Sequence, residues 1–186
     1  MPGVEIIIGP MYSGKSTELL RRLNILAEMN LKVLYVNSTV DTRSKTPFST
    51  HNPTLASVGK ITAMKISKLE DLTDLSWNVI GIDEAQFFSG LVESVHNFVE
   101  MHDIHVIVSG LNGDSNRAKF GEIIDLIPFC DKIDKLASFC KPCWDRYKRH
   151  TDALFSKKIA MAQSDKVVDI GAQDKYIPVC RDCYFN

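Results

Sequence analysis

The chain has 186 residues, 45% of them hydrophobic and 24% charged, with a formal net charge of −1. That fits one ordinary core with room for a small appended module, and it supplies no global field for nucleic acid or an anionic membrane. The apolar runs stop far short of the roughly 20 residues that span a bilayer, and the opening MPGVEIIIGP, with Glu5 inside its apolar run, does not read as a signal peptide. Five cysteines, four of them in CxxC pairs, point to a reducing compartment and to metal rather than disulfides. A cytoplasmic location is expected.

Residues 4–8 (VEIII) form a short, β-branched apolar run, as a buried strand does. A glycine-bearing loop follows. The spacing then predicts a helix over 16–29, with Leu19, Leu20, Leu23 and Leu26 in one stripe and Arg21, Arg22 and Asn24 facing water. KVLYV (32–36) predicts a second strand, 39–54 a polar loop, and VIGI (79–82) a third strand ending in acids. Leu91, Val92, Val95, Phe98 and Val99 recur at helical spacing, HVIVS (105–109) predicts a fourth strand, and 132–136 a fifth. Strands alternating with helices imply a parallel sheet with helices on both faces. After Leu136 the pattern breaks into short pieces punctuated by cysteine pairs.

Gly9, Pro10, Met11, Tyr12, Ser13, Gly14, Lys15 and Ser16 satisfy G-x-x-x-x-G-K-[ST] between a strand and an amphipathic helix. The glycines let the backbone curl so that successive N–H groups face phosphate oxygens. The helix start adds its positive end, Lys15 a mobile charge for the β/γ-phosphates and Ser16 a hydroxyl for Mg²⁺. The expected architecture is therefore α/β, a P-loop NTPase-like domain over 1–136, with a small zinc-binding lobe over 137–186.

Asp83, Glu84, Ala85 and Gln86 end the third strand, on the edge where open α/β sheets bind ligands. Asp83 suits the Mg²⁺ shell, directly or through water, and Glu84 suits the base that takes a proton from an attacking hydroxyl, although solvated acids capping the next helix fit the same motif taken alone. Asp41, Thr42 and Arg43 lie in the loop after the second strand. Arg43 fits charge neutralisation on a transferred phosphoryl group, and Asp41 a sugar hydroxyl or the positioning of Arg43, although an exposed ion pair fits the same residues.

Cys140 and Cys143, with Cys180 and Cys183, match a closed four-thiolate zinc site. Redox pairs and reduced buried cysteines are the rival readings. Before the second pair, Val167, Val168, Asp169, Ile170 and Gly171 lead to Tyr176 in a loop able to present backbone groups to a base edge. Tyr176 fits stacking on a base, or a plain core or surface aromatic.

GPMYSGKSTELLRR, the DTR loop, Thr50-His51, IGIDEAQFF, GLNG…RAKFG, the CxxC pairs and DKY…VCRDCYF occur in the order found in cytosolic-type, zinc-bearing (type II) thymidine kinases, which the chain resembles over nearly its whole length. The resemblance implies a homotetramer that transfers the γ-phosphoryl of ATP to the 5′-hydroxyl of thymidine, with Mg²⁺, structural zinc and Glu84 as general base. It places residues 9–16, 41–43, Asp83 and Gln86 around the ATP phosphates. It implies an apolar base pocket at Met11, Phe87, Leu111, Phe120 and Tyr176, a lasso at 167–176, and feedback binding of thymidine triphosphate. Ser115 falls at the base too, where animal and poxvirus relatives carry an aromatic, and a serine cannot stack. Two other activities fit the same motifs: a kinase for another deoxynucleoside such as deoxyuridine, and a nucleotide-binding module whose lobe recruits a partner.

Overall fold

The computed structural model describes residues 2–41, 48, 60–159 and 175–186. Strands β1 (Val4–Ile8), β2 (Val33–Ser38), β3 (Ile61–Ile66), β4 (Val79–Ile82), β5 (His105–Gly110) and β6 (Lys132–Lys135) form one six-stranded sheet in the order β3-β2-β4-β5-β1-β6. Every pairing is parallel, so the segments that follow the strands all emerge at one edge. Residues 9–16, 41, 83–87, 111 and 136 therefore share that edge.

Side-chain alternation along each strand divides the core. On one face Ile7, Tyr35, Val79 and Ile107 pack against Leu19, Leu20, Leu23 and Ala27 of helix α1 (Lys15–Glu28). On the other, Ile6, Ile8, Leu34, Ile80, Ile82, Val106 and Val108 meet Leu91, Val95 and Phe98. Leu91 and Val95 belong to helix α2 (Leu91–His96), which runs on into a π turn over Asn97–Met101. Among the described residues, no helix is long and apolar enough to cross a membrane.

Two small antiparallel sheets follow. Strand β7 (Ser138–Phe139) pairs with β8 (Asp152–Ala153), and β9 (Phe155–Lys158) with β10 (Tyr176–Val179). Short helices α3 (Lys141–Tyr147) and α4 (Arg181–Phe185) each begin directly after a cysteine.

Two expectations need correction. The sheet has a strand, β3, that periodicity did not reveal: its ITAMKI sequence has one buried residue and a lysine, because it forms the sheet edge. Arg22 does not face water. Its side chain is 10% exposed and bonds Glu18 on α1 (2.8 Å), Asp134 on β6 (2.7 Å) and Glu5 on β1. One guanidinium thus ties the first helix to two neighbouring strands.

Hydrogen bonding to Arg21, and then to Arg22, holds the Glu18 carboxyl down at about 2. A carboxyl depressed by folding stabilises the fold above its unfolded pKa of roughly 4.3 and loses that contribution as pH falls through the folded value. Arg22→Leu is expected to cost about 2 kcal/mol at pH 7, below the range for fully buried pairs because its partners are partly solvated. In urea unfolding, the gap between wild type and variant should narrow as pH drops from 5 towards 2.

Candidate active site

Between β1 and α1 the chain wraps tightly. A Cβ at Gly9 would sit 2.6 Å from the carbonyl oxygen of Leu136, so glycine is required where the loop leaves the sheet. Gly14, at φ 82°, is left-handed and starts the helix, its carbonyl accepting the first helical bond from Glu18 N at 2.9 Å. Tyr12 is also left-handed, at φ 63°. Lys15 is buried, and its Nζ donates to the Pro10 carbonyl at 2.8 Å. Ser13 Oγ donates to the same oxygen at 2.9 Å.

Asp83 follows β4 and is 1% exposed. Its Oδ2 accepts from Tyr35 Oη at 2.7 Å, and its Oδ1 from Ser109 Oγ at 3.0 Å and Glu84 N at 2.9 Å. Burial, and then the adjacent Glu84 charge, push the Asp83 carboxyl up, against the pull of Tyr35 and Ser16. A dication beside it would favour the ionised form. The loop serine lies close enough to the acid after β4, two strands away from β1 in the sheet, to favour its charged form.

Glu84 is buried and takes a left-handed backbone, φ 50° and ψ 41°. Its Oε2 accepts from Gln86 Nε2 at 2.6 Å, and Gln86 Oε1 in turn accepts from Leu111 N at 2.9 Å. The Phe87 and Phe120 rings meet edge to face at 5.7 Å. Gly121 is left-handed, and a Cβ there would fall 2.4 Å from the Gln86 carbonyl oxygen, so the chain after Phe120 presses on Gln86. Asp41 is buried beyond β2. Asn37 Nδ2 donates to its carboxylate at 3.2 Å and Lys65 Nζ to its carbonyl at 2.8 Å. Thr42, Arg43 and 167–171 lie outside the described residues.

The small sheets reach this edge. Met11 N donates to Ser156 Oγ on β9 at 2.9 Å, and Ser138 Oγ on β7 to the Tyr12 carbonyl at 3.0 Å. Ser115 stands away from Phe87 in sequence, and its carbonyl accepts from Tyr184 Oη at 2.8 Å. Tyr176 opens β10 and is buried opposite Lys158.

Cys140, Cys143, Cys180 and Cys183 bring their sulfurs within 4.8 Å of one another. Cys143 Sγ is 3.9 Å from that of Cys180 and 3.6 Å from that of Cys183. A tetrahedron with Zn–S bonds of roughly 2.3 Å has edges of about 3.8 Å, so the donor set fits zinc. No two of the four are disulfide-bonded. Burial, and then the neighbouring thiols, push the Cys183 thiol up to about 12, so its thiolate form calls for a cation nearby.

Tyr35, Ser109 and Asn37 were missed from the sequence. Their only signal is a polar group inside an apolar strand that ends at the ligand edge.

Proteins that curl a G-x-x-x-x-G-K-S turn past the first parallel strand and answer it with an acid from a nearby strand end are P-loop nucleotide-binding proteins, and this chain has that architecture. The family model described as thymidine kinase matches residues 3–184. Cytosolic thymidine kinase of Bos taurus is 36% identical over 98% of this chain and 72% of its own length. Thymidine kinase of Raccoon poxvirus is 37% identical over 98% and 97%, and the cytosolic enzyme of Homo sapiens 35% over 98% and 73%. The chain belongs to the thymidine kinase family and is a phosphotransferase.

Tyr35→Phe removes one donor from the buried Asp83 carboxyl and leaves the ring in place. It is expected to lower stability by about 1–3 kcal/mol, read as a lower urea midpoint with an unchanged slope.

Proposed function

We propose that the chain moves the γ-phosphoryl of ATP to the 5′-hydroxyl of thymidine, with Glu84 as general base. The observation that carries this reading is the placement of Asp83 and Glu84, both buried, at the end of β4 on the sheet edge where the phosphate loop leaves β1. Amides of residues 9–16 would cradle the triphosphate, and Lys15 would leave the Pro10 carbonyl for the β/γ-phosphates. Ser16 and Asp83 would hold Mg²⁺, which neutralises charge on the phosphates as they separate. Asp41, Thr42 and Arg43 would close on the same phosphates.

In the reaction Glu84 takes the proton of the 5′-hydroxyl as the sugar oxygen bonds to the γ-phosphorus. The bond from that phosphorus to the bridging oxygen breaks, and ADP leaves with the electron pair. Gln86 fixes the carboxylate by donating to one of its oxygens. The base would lie among Met11, Phe87, Leu111, Phe120 and Tyr176, an apolar wall suited to the thymine methyl. Residues 167–171 would supply its backbone partners and thymidine triphosphate would compete there, with residues 1–136 as the ATP domain and 137–186 as the zinc lobe. A homotetramer in the cytoplasm completes the reading, the location supported by two relatives named as cytosolic.

Glu84→Gln is expected to leave ATP binding intact and to lower kcat on thymidine about 100-fold or more. An unchanged rate removes Glu84 from that role. Initial rates on thymidine, deoxyuridine and deoxycytidine test the substrate, and a clear preference for deoxycytidine rules thymidine out.

The four cysteines are proposed to hold one structural zinc ion. Cys140→Ser should lose that ion in metal analysis, and its thermal midpoint should fall, because metal binding and folding are coupled. An active preparation free of zinc would exclude the site.

A further inference from the structure

Between Gly113 and Lys119, which pair as an antiparallel bridge, the chain after β5 makes a tight hairpin. Asp114 shapes it, its Oδ1 accepting from Asn116 N at 2.8 Å and Ala118 N at 2.9 Å. Arg117 sits at the tip in a left-handed conformation, φ 64°. That backbone is costly for a residue with a Cβ, and here it aims the guanidinium at the cysteine-bearing end of the chain. Arg117 Cζ lies 4.3 Å from the ring centre of Tyr184, 4.7 Å from that of Phe185 and 5.7 Å from that of Phe155. Tyr184 follows Cys183 directly, and its hydroxyl donates to the Ser115 carbonyl in the same hairpin.

Both stems of the hairpin end on the active site. Leu111 N donates to Gln86 Oε1, whose amide nitrogen donates to Glu84. Phe120 abuts Phe87, and Gly121 leaves no room between itself and the Gln86 carbonyl.

We propose that Arg117 is a positioning residue for the nucleoside: held over the Tyr184, Phe185 and Phe155 rings, it fixes the 111–121 hairpin so that Leu111 and Phe120 form a rigid wall for the base. It touches neither substrate nor reacting atoms. The proposal rests on the thymidine-pocket reading above and adds a residue to which that reading gives no part. A cation over aromatic rings is stabilised by their negative faces, so a lysine should serve in part and an apolar residue should not.

The test compares Arg117→Leu, Arg117→Lys and Tyr184→Phe with wild type, each checked for zinc content. Arg117→Leu should raise KM for thymidine about fivefold, change kcat and KM for ATP less than twofold, and speed amide hydrogen exchange over 111–121. Arg117→Lys should recover most of the loss. Tyr184→Phe, which keeps the ring and loses the bond to Ser115, should show a smaller effect in the same direction. A thymidine KM within twofold of wild type in Arg117→Leu, or an equal rise in the KM for ATP, overturns the proposal. Should the wild-type protein phosphorylate no nucleoside, the kinase reading fails by itself. The exchange rates still decide this one, since unaltered protection over 111–121 refutes it.

Discussion

A carboxyl group removed from water has to find hydrogen-bond donors inside the protein, and Asp83 finds them on elements far apart in sequence. Tyr35 comes from β2, Ser109 from β5, and the third donor is the next backbone amide. The set closes only when β2, β4 and β5 are neighbours. Sheet order and active-site geometry are thus the same constraint. Glu84 inherits its place by following Asp83, at the sheet edge where the phosphate loop leaves β1.

The cysteine lobe is bound into that arrangement by specific contacts. Ser156 and Ser138 grip the loop at Met11 and Tyr12, while Tyr184 and Arg117 join the last helix to the hairpin after β5. Four crowded thiols have little reason to stay together without a cation, so metal in the lobe would stiffen residues that line the site. The lobe's place in the molecule is best understood as a brace.

Much of this was legible in the sequence because period and punctuation coincide there. The strand–loop–helix around Lys15, the acids ending VIGI and the CxxC pairs each sit beside a clear break in pattern. Strand β3 was not legible, since an edge strand with Lys65 and Met64 half-exposed lacks a continuous apolar run. Arg22 read as a solvated helix residue because its partners Glu5 and Asp134 are distant in sequence. Gln86 drew attention by position, but its bond to Leu111 depends on how β4 and β5 align, which composition does not encode. The packing of Arg117 on Tyr184 needs the lobe's tertiary fold.

Three of the non-glycine residues with positive φ, Tyr12, Glu84 and Arg117, lie in the loops around the ligand edge. Each holds a conformation that glycine or asparagine adopts with less strain. Relaxing these positions to glycine would ease the backbone and at the same time remove the ring, the carboxylate and the guanidinium that the loops carry.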